Sequence, residues 1–432
     1  MAENQHLAGW QPPQNFTPVE SMVEGITVYA PRSERPRSVS PASFKCPQCG
    51  ATTGYDITKG GVACEYCGFM AKPVSHPVGK GAQEFEFTLE TWSQATQGWG
   101  VARQELHCEH CGGNLIVTDG ALTFTCPFCA SNKVNLRAAS ADVLQPRFLI
   151  PFKILPETNR ARAKEWLGRG WFHPKELAAA AVIDRFTGIY LPFWTFDALI
   201  NAEWRAEVGY ERQERYYDAG SKEWKTRTTI DWRWENGEVS ILIDDLLIAG
   251  TGHLSRRILE KLYPFQLGDL VAYQPDYLAG WQTQAYEVTL LEAWEAGKAR
   301  MREQAKQACH ADIHSGHVRN FSMLADFDQE TWRYILLPVY VAAYRFQNTV
   351  LQVMVNGQTG TIAGQKPVAW WKIWLAIGAL LAPGLFLGLS GLPLLLAGGF
   401  GMVLIVVGFA LLVLGGTLSA ALYRQAVDSE AA

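Results

Sequence analysis

Residues 46–69 read CPQCGATTGYDITKGGVACEYCGF. Two Cys-x-x-Cys pairs, Cys46/Cys49 and Cys64/Cys67, are separated by 14 residues. A Cys-x-x-Cys turn offers two thiolates to one ion, and two such turns joined by a hairpin close a tetrahedral four-thiolate site. Gly50 and Gly68 follow the second cysteine of each pair. Glycine there lets the backbone fold back so that its N–H groups face the sulfurs. Between the pairs, GYDITKGGVA reads as strand, turn, strand. These features predict a small β zinc ribbon over 44–73.

The same grammar returns downstream. CEHCGGNLIVTDGALTFTCPFC places Cys108, Cys111, Cys126 and Cys129 each 62 positions after its counterpart, with the same inner spacing of 14. An internal repeat of this kind predicts a second zinc ribbon over 105–137. The expected metal ligands are therefore Cys46, Cys49, Cys64, Cys67, Cys108, Cys111, Cys126 and Cys129, holding two structural zinc ions. Rubredoxin-type iron uses the same four ligands. A redox dithiol would call for one reactive pair at a helix start, and a secreted disulfide scaffold for a smaller, more evenly stapled chain. Closed four-cysteine sites leave no open coordination position, so they shape a module and do no chemistry.

The chain has 432 residues, a net charge of -4 and 16 Trp among a high aromatic load. Its start has no basic, apolar signal-like segment. Residues 1–43, rich in Pro, Ser and Arg, predict a disordered leader. Residues 74–104 link the two ribbons, with EFEFTLE alternating like a strand. Taken together the two ribbons carry as many acids as bases, so nucleic acid is not an expected partner, because that affinity rests on cationic side chains.

Residues 148–365 predict an α+β domain with antiparallel meanders. PETNRARAKEWLGRG and HPKELAAAAVI read as helical. From Ile200 to Tyr210, and again from Trp224 to Trp234, apolar and polar residues alternate with the period of a half-buried sheet. Asn236-Gly237 and Asn356-Gly357 are hairpin-turn signals. Helices are expected at 254–263 and 286–312, the second with Leu291, Trp294, Met301, Ala305 and Ala308 on its apolar face. IYLPFWTFDA (189–198) and LLPVYVAAYRF (336–346) open two similar meanders, which suggests a duplicated unit. His310, His314 and His317 near Cys309 have the spacing of a metal face, but Ser315-Gly316 stops the helix before His317. Asp244-Asp245 reads as an exposed turn. No nucleotide loop, nucleophile elbow or metalloprotease motif occurs, and no catalytic residue is expected.

From Ile373 to Tyr423 there is no Asp, Glu, Lys, Arg or His. That length, about 77 Å as helix, fits two crossings of a hydrocarbon core of about 30 Å. The spans are expected at 371–389 and 394–423, turning near LSGLP (389–393), with a tail at 424–432. Trp370 and Trp371 suit the interfacial belt. Lys366 and Lys372 before the hairpin, and Arg424 after it, put both termini on the cytoplasmic side of the membrane. With no ionisable residue inside, the hairpin reads as an anchor.

KCPQCG (45–50), IPFKI (150–154), IYLPFWTFDA, DYLAGWQTQAYEV (276–288), LLPVYVAAYRF and VNGQTGTIAG (355–364) resemble the YdjG-like bacterial zinc-ribbon membrane proteins, over about 44–372. Members are often labelled primosomal or helicase-like. DIHSGHVRNF departs from the pattern. The resemblance implies a phage-shock-type membrane-stress assembly, with a PspA-like coat protein or SPFH-like scaffold as partner. Together these readings predict a membrane-anchored adaptor that recruits proteins. The alternative is a membrane-tethered nucleic-acid or replication-associated protein.

Overall fold

The structure is a computed structural model. It describes residues 44–73, 78–79, 104–117, 125–129, 131–138, 144–183, 186–220, 222–347, 349–397 and 401–430, with short strands at 16–19, 28–31 and 85–86. The chain divides into two units. The smaller comprises Met1–Ser43 and Gly100–Ala102. Within the expected leader, Phe16–Val19 pairs antiparallel with Val28–Pro31.

The larger unit holds the ribbons, the middle domain and the apolar helices. Its main sheet is built on β1 (Phe148–Leu149), β2 (Thr187–Asp218), β3 (Glu223–Ala249), β4 (Gln282–Thr283), β5 (His317–Phe346), β6 (Thr349–Asn356) and β7 (Ile362–Gly364). The helices are α1 (Pro156–Gly168), α2 (Arg256–Lys261), α3 (Leu290–Asp312), α4 (Trp370–Ala397) and α5 (Gly401–Glu430). β2 is central, antiparallel to β3 on one side and to β5 on the other; β6 pairs with β5 and β7 with β6.

The two Leu-Pro phrases come together at the centre of this sheet. Leu191 of β2 faces Leu337 of β5, Pro192 faces Leu336, and Pro338 faces Tyr190. The surrounding contacts match from half to half. The Gly250 N–H donates to Pro192 O and the Gly357 N–H to Pro338 O, both at 2.8 Å. Gly250 O accepts from Glu287 and Val288, and Gly357 O accepts from Lys153 and Ile154. Trp194 Nε1 donates to Val288 O at 3.0 Å, and Tyr340 Oη to Ile154 O at 2.6 Å. β4 runs parallel to β2, and β1 runs parallel to β5. β1 and α1 thus pack on the β5–β6–β7 strands, and β4 and α3 on the β2–β3 hairpin.

Several details differ from the sequence reading. Asn236-Gly237 is no turn: both residues sit inside β3, opposite Arg205 and Trp204, and β3 runs unbroken from Glu223. A Cβ on Gly237 would lie 2.7 Å from Trp204 Nε1, so this glycine serves the close approach of an indole. Asn356 does end β6, and its side chain accepts the N–H groups of Gln358 and Thr359. The alternation at 200–208 faces a core, with Ile200, Ala202, Trp204, Ala206 and Val208 all buried. That of Trp224–Trp234 does not: Trp224 is 66% and Trp234 53% exposed. The difference is the face: Trp234 pairs with Glu207, Trp232 with Gly209 and Trp224 with Tyr217, on the side opposite Trp204, Ala206 and Val208, whereas α3 covers the latter side, where its Asp312 carboxylate accepts from Trp204 Nε1. Of HPKELAAAAVI only Leu177–Ala180 is helical.

α3 begins with a capping box, Thr289 and Glu292 each bonding the other's backbone N–H. Its buried stripe is Leu290, Ala293, Trp294, Gly297, Met301, Ala305 and Cys309. Leu291, expected on that face, is 53% exposed. The stripe is offset because Gly297, absent from an apolar count, sits against the Phe196 ring.

Candidate metal centres and membrane hairpin

Gly50, Gly68 and Gly112 close three of the four cysteine turns with φ of +73° to +75°. Their N–H groups bond the carbonyls of Cys46, Cys64 and Cys108. A side chain disfavours that left-handed backbone, so the glycines are a condition of the turn. All eight predicted cysteines converge, as two groups of four. Cys46 and Cys67 sulfurs lie 3.4 Å apart and Cys49 and Cys64 3.6 Å. In the second group Cys108–Cys129 and Cys111–Cys126 are each 3.6 Å apart. A disulfide would need about 2.0 Å. Four sulfurs at about 2.3 Å from one tetrahedral ion stand about 3.8 Å from each other. The donor sets are therefore compatible with two zinc ions.

The two centres differ in setting. The first ribbon has its own three-stranded sheet, Gly54–Asp56, Gly61–Ala63 and Met70–Ala71. It rests on the middle domain through Tyr55, whose N–H donates to Ala279 O and whose ring lies 5.2 Å from that of Tyr277. Cys49 and Cys67 remain exposed, and Tyr66 beside them is 82% exposed. The Cys67 N–H, helped by that of Tyr66 against some burial, draws the Cys64 thiol down to about 7.

The second ribbon joins the main sheet, Ile116 pairing with Thr283 of β4. Cys108, Cys126 and Phe128 belong to the core under β2 and β5, and Gln352 of β6 donates to Phe128 O at 2.7 Å. Burial pushes the Cys126 thiol up, and Cys129 up to about 11. The His253 ring fills the space beside Gly112, with its Nδ1 2.6 Å from a Glu287 carboxylate oxygen. Residues 118–124 and Ala130 of this ribbon lie outside the described residues.

The other sequence candidates separate. His310 stacks on Phe321 at 4.3 Å, His317 begins β5 with Nε2 3.2 Å from Glu211, and Cys309 is buried in the core. Asp244-Asp245 is no exposed turn. Asp245 has φ +59° where the β2–β3 register shifts, and it pairs with Arg333, which is 1% exposed. Arg333 also lies 3.7 Å from Asp197 and donates through Nε to Thr195 Oγ1 at 3.1 Å. The guanidinium neutralises this carboxylate group from within the sheet. No local motif announces it, because its members come from three strands.

α4 and α5 have mean hydropathies of 2.0 and 2.5 and are long enough to cross a membrane. α4 runs through LSGLP to Ala397 and the second helix is Gly401–Glu430 rather than 394–423; residues 398–400 lie outside the described residues. Pro383 and Pro393 sit inside α4 without ending it. Small residues let the pair approach closely: a Cβ on Gly408 would meet Gly388 N at 2.6 Å. Both charged ends dock on the middle domain. Lys366 N–H donates to Ser429 O, and Lys261 Nζ lies 3.3 Å from Asp428 O. Lys366 is buried, its ammonium donating to Trp166 O and Arg169 O at the end of α1. Lys372 donates to Trp171 O and His173 O.

The larger unit is therefore a β-sheet protein with two tetracysteine clusters and an apolar two-helix hairpin. The chain is similar to the uncharacterized protein YdjG of Bacillus subtilis (strain 168), at 25% identity over 371 residues, covering 83% of this chain and 99% of that protein. No family model and no solved structure matches it.

Proposed function

We propose that this protein is a membrane-anchored zinc-ribbon adaptor that recruits protein partners to the cytoplasmic face of a bacterial inner membrane. Zinc would be held by Cys46, Cys49, Cys64 and Cys67, and by Cys108, Cys111, Cys126 and Cys129. Four thiolates saturate each ion, so the metal stiffens its module and the reading assigns no catalytic residue. The observation that carries the proposal is that a four-thiol module with an exposed rim and an apolar hairpin belong to one unit. Anchoring raises the local concentration of whatever the exposed surface binds. The matching contacts around Leu191 and Leu337 are read as two copies of one α+β unit, which gives the platform its stiffness. Both termini face the cytoplasm in this reading. The partner class is a coat or scaffold protein of a membrane-stress assembly, PspA-like or SPFH-like.

The test is a pull-down of the full-length protein from mild-detergent membranes, with and without nuclease, beside a variant lacking residues 44–73. Coat or scaffold proteins that survive nuclease and disappear with the ribbon support the adaptor. Partners lost on nuclease treatment would replace it with a nucleic-acid tether.

A further inference from the structure

The two halves of the middle domain differ at one matching place. In the second half the outer edge of β6 is covered by β7, with Val353 opposite Gly364, Met354 opposite Ala363 and Val355 opposite Ile362. The shared contacts that set Gly250 beside Pro192 and Gly357 beside Pro338 make Leu246–Ile248 the counterpart of Val353–Val355. In the first half no such strand follows. The chain leaves Gly250 for α2 and then for Tyr263–Gly268, and among the described residues β3 pairs with β2 alone.

Where β7's counterpart would lie there is a cleft of about 930 Å³. Its floor is the edge of β3 from Leu242 to Leu247, and its walls include Tyr263, Phe265 and Arg300. Leu247 O faces this side, accepting from Arg300 at 3.3 Å. In an antiparallel strand the N–H and C=O of one residue face the same edge, and residues alternate. The amides of Leu247 and Ala249 therefore face the outer edge of β3, that of Leu247 within the cleft, while that of Gly250 faces Pro192. Leu242, at the mouth, is 70% exposed.

We propose that this cleft takes an extended segment of a partner protein, which completes the sheet as β7 does in the opposite half. The segment lies antiparallel to β3 and spans about six residues, or about 20 Å. Leu242, Tyr263 and Phe265 select apolar side chains at alternate positions, and backbone bonds to Leu247 and Ala249 supply sequence-tolerant affinity. The strand comes from another protein because the chain after Gly250 is already committed to the walls of the cleft. This inference rests on the recruiting reading for the existence of a partner, but it places the contact away from the ribbons.

Full-length protein in lipid nanodiscs is panned against phage-displayed random heptapeptides, and amide hydrogen exchange is read with and without the enriched peptides. The expected result is enrichment of peptides with alternating apolar residues, slowed exchange at Leu247 and Ala249, and at least tenfold weaker binding to Leu242→Arg and Leu247→Pro. Leu242→Arg, on an exposed side chain, keeps the test meaningful if the proline variant misfolds. Three results overturn the proposal. One is the absence of enriched peptides. Another is enriched peptides that bind both variants as well as the parent. The last is protection of Leu247 already present in the protein alone, which assigns the edge to a second copy if it depends on concentration and to the chain itself if it does not. Loss of partners on ribbon deletion is a separate readout, so the adaptor and the cleft fail independently.

Discussion

Leu191 and Leu337 lie directly opposite each other where β2 and β5 pair, with Pro192 and Pro338 on opposite sides of that pair. Around it the two halves anchor their helices alike, through Trp194 to Val288 O and Tyr340 to Ile154 O. Tyr340→Phe removes one anchor and leaves the half-buried Ile154 carbonyl without that donor. The expected loss is about 1–3 kcal/mol. It would be measured as a shift in unfolding midpoint in detergent, and an unchanged midpoint would show that the anchor carries no weight.

Arg333 is the buried cation between Asp197 and Asp245. Arg333→Met leaves two carboxylates in the sheet and should cost about 3–5 kcal/mol. Combining it with Asp197→Asn and Asp245→Asn removes the stranded charge, and most of the loss should return. Denaturant titration of the single and triple variants decides, and equal losses would refute the charge account.

Gly237 makes room for the Trp204 indole. Gly237→Val should therefore destabilise by about 1–3 kcal/mol through overpacking, with a blue shift or quench in tryptophan emission. Asn236→Ala, in mid-strand, should change little. The reverse order would point to a turn after all.

The two metal centres should differ in what they hold up. Elemental analysis of the parent should give about two zinc ions per chain, and about one in either Cys49→Ser or Cys126→Ser. Thermal unfolding should fall further in Cys126→Ser, because that ribbon shares the core of the main sheet whereas the first has a sheet of its own.

Burial, and then the charge of Arg169, hold the Lys366 amine down to about 8. An unfolded lysine titrates near pH 10.4, about. Between those values the unfolded chain binds more protons than the folded one, so stability rises with pH across that window. The stability of the parent relative to Lys366→Met should climb from pH 8 to pH 10. A flat difference would show that the ammonium is held at no cost.

Much of the site was legible in the sequence because its grammar is local. A four-cysteine module is written in spacing and glycine, and all eight thiols converge as that spacing requires. An uncharged run of membrane length is equally plain, although its turn fell later than the LSGLP signal. Proline is tolerated inside a helix that neighbouring residues can support. What stayed hidden was long-range. Gly237 looked like a turn because its reason, Trp204, lies 33 positions away. Arg333 finds its carboxylates on two other strands, and the period-two pattern of Trp224–Trp234 cannot say whether anything covers it.

β2 runs for 32 residues and is bonded to β3 from Phe193 to Asp218. At about 3.3 Å per residue it spans about 105 Å. The apolar hairpin joins at the Thr187 end, through β7 and β6, while the Asp218 turn lies at the other. A pull between the apolar hairpin and that far turn runs along the strands, so the ladder between β2 and β5 is loaded in shear. Its bonds then resist together instead of peeling one after another, which makes the sheet a strut able to carry tension between its two ends.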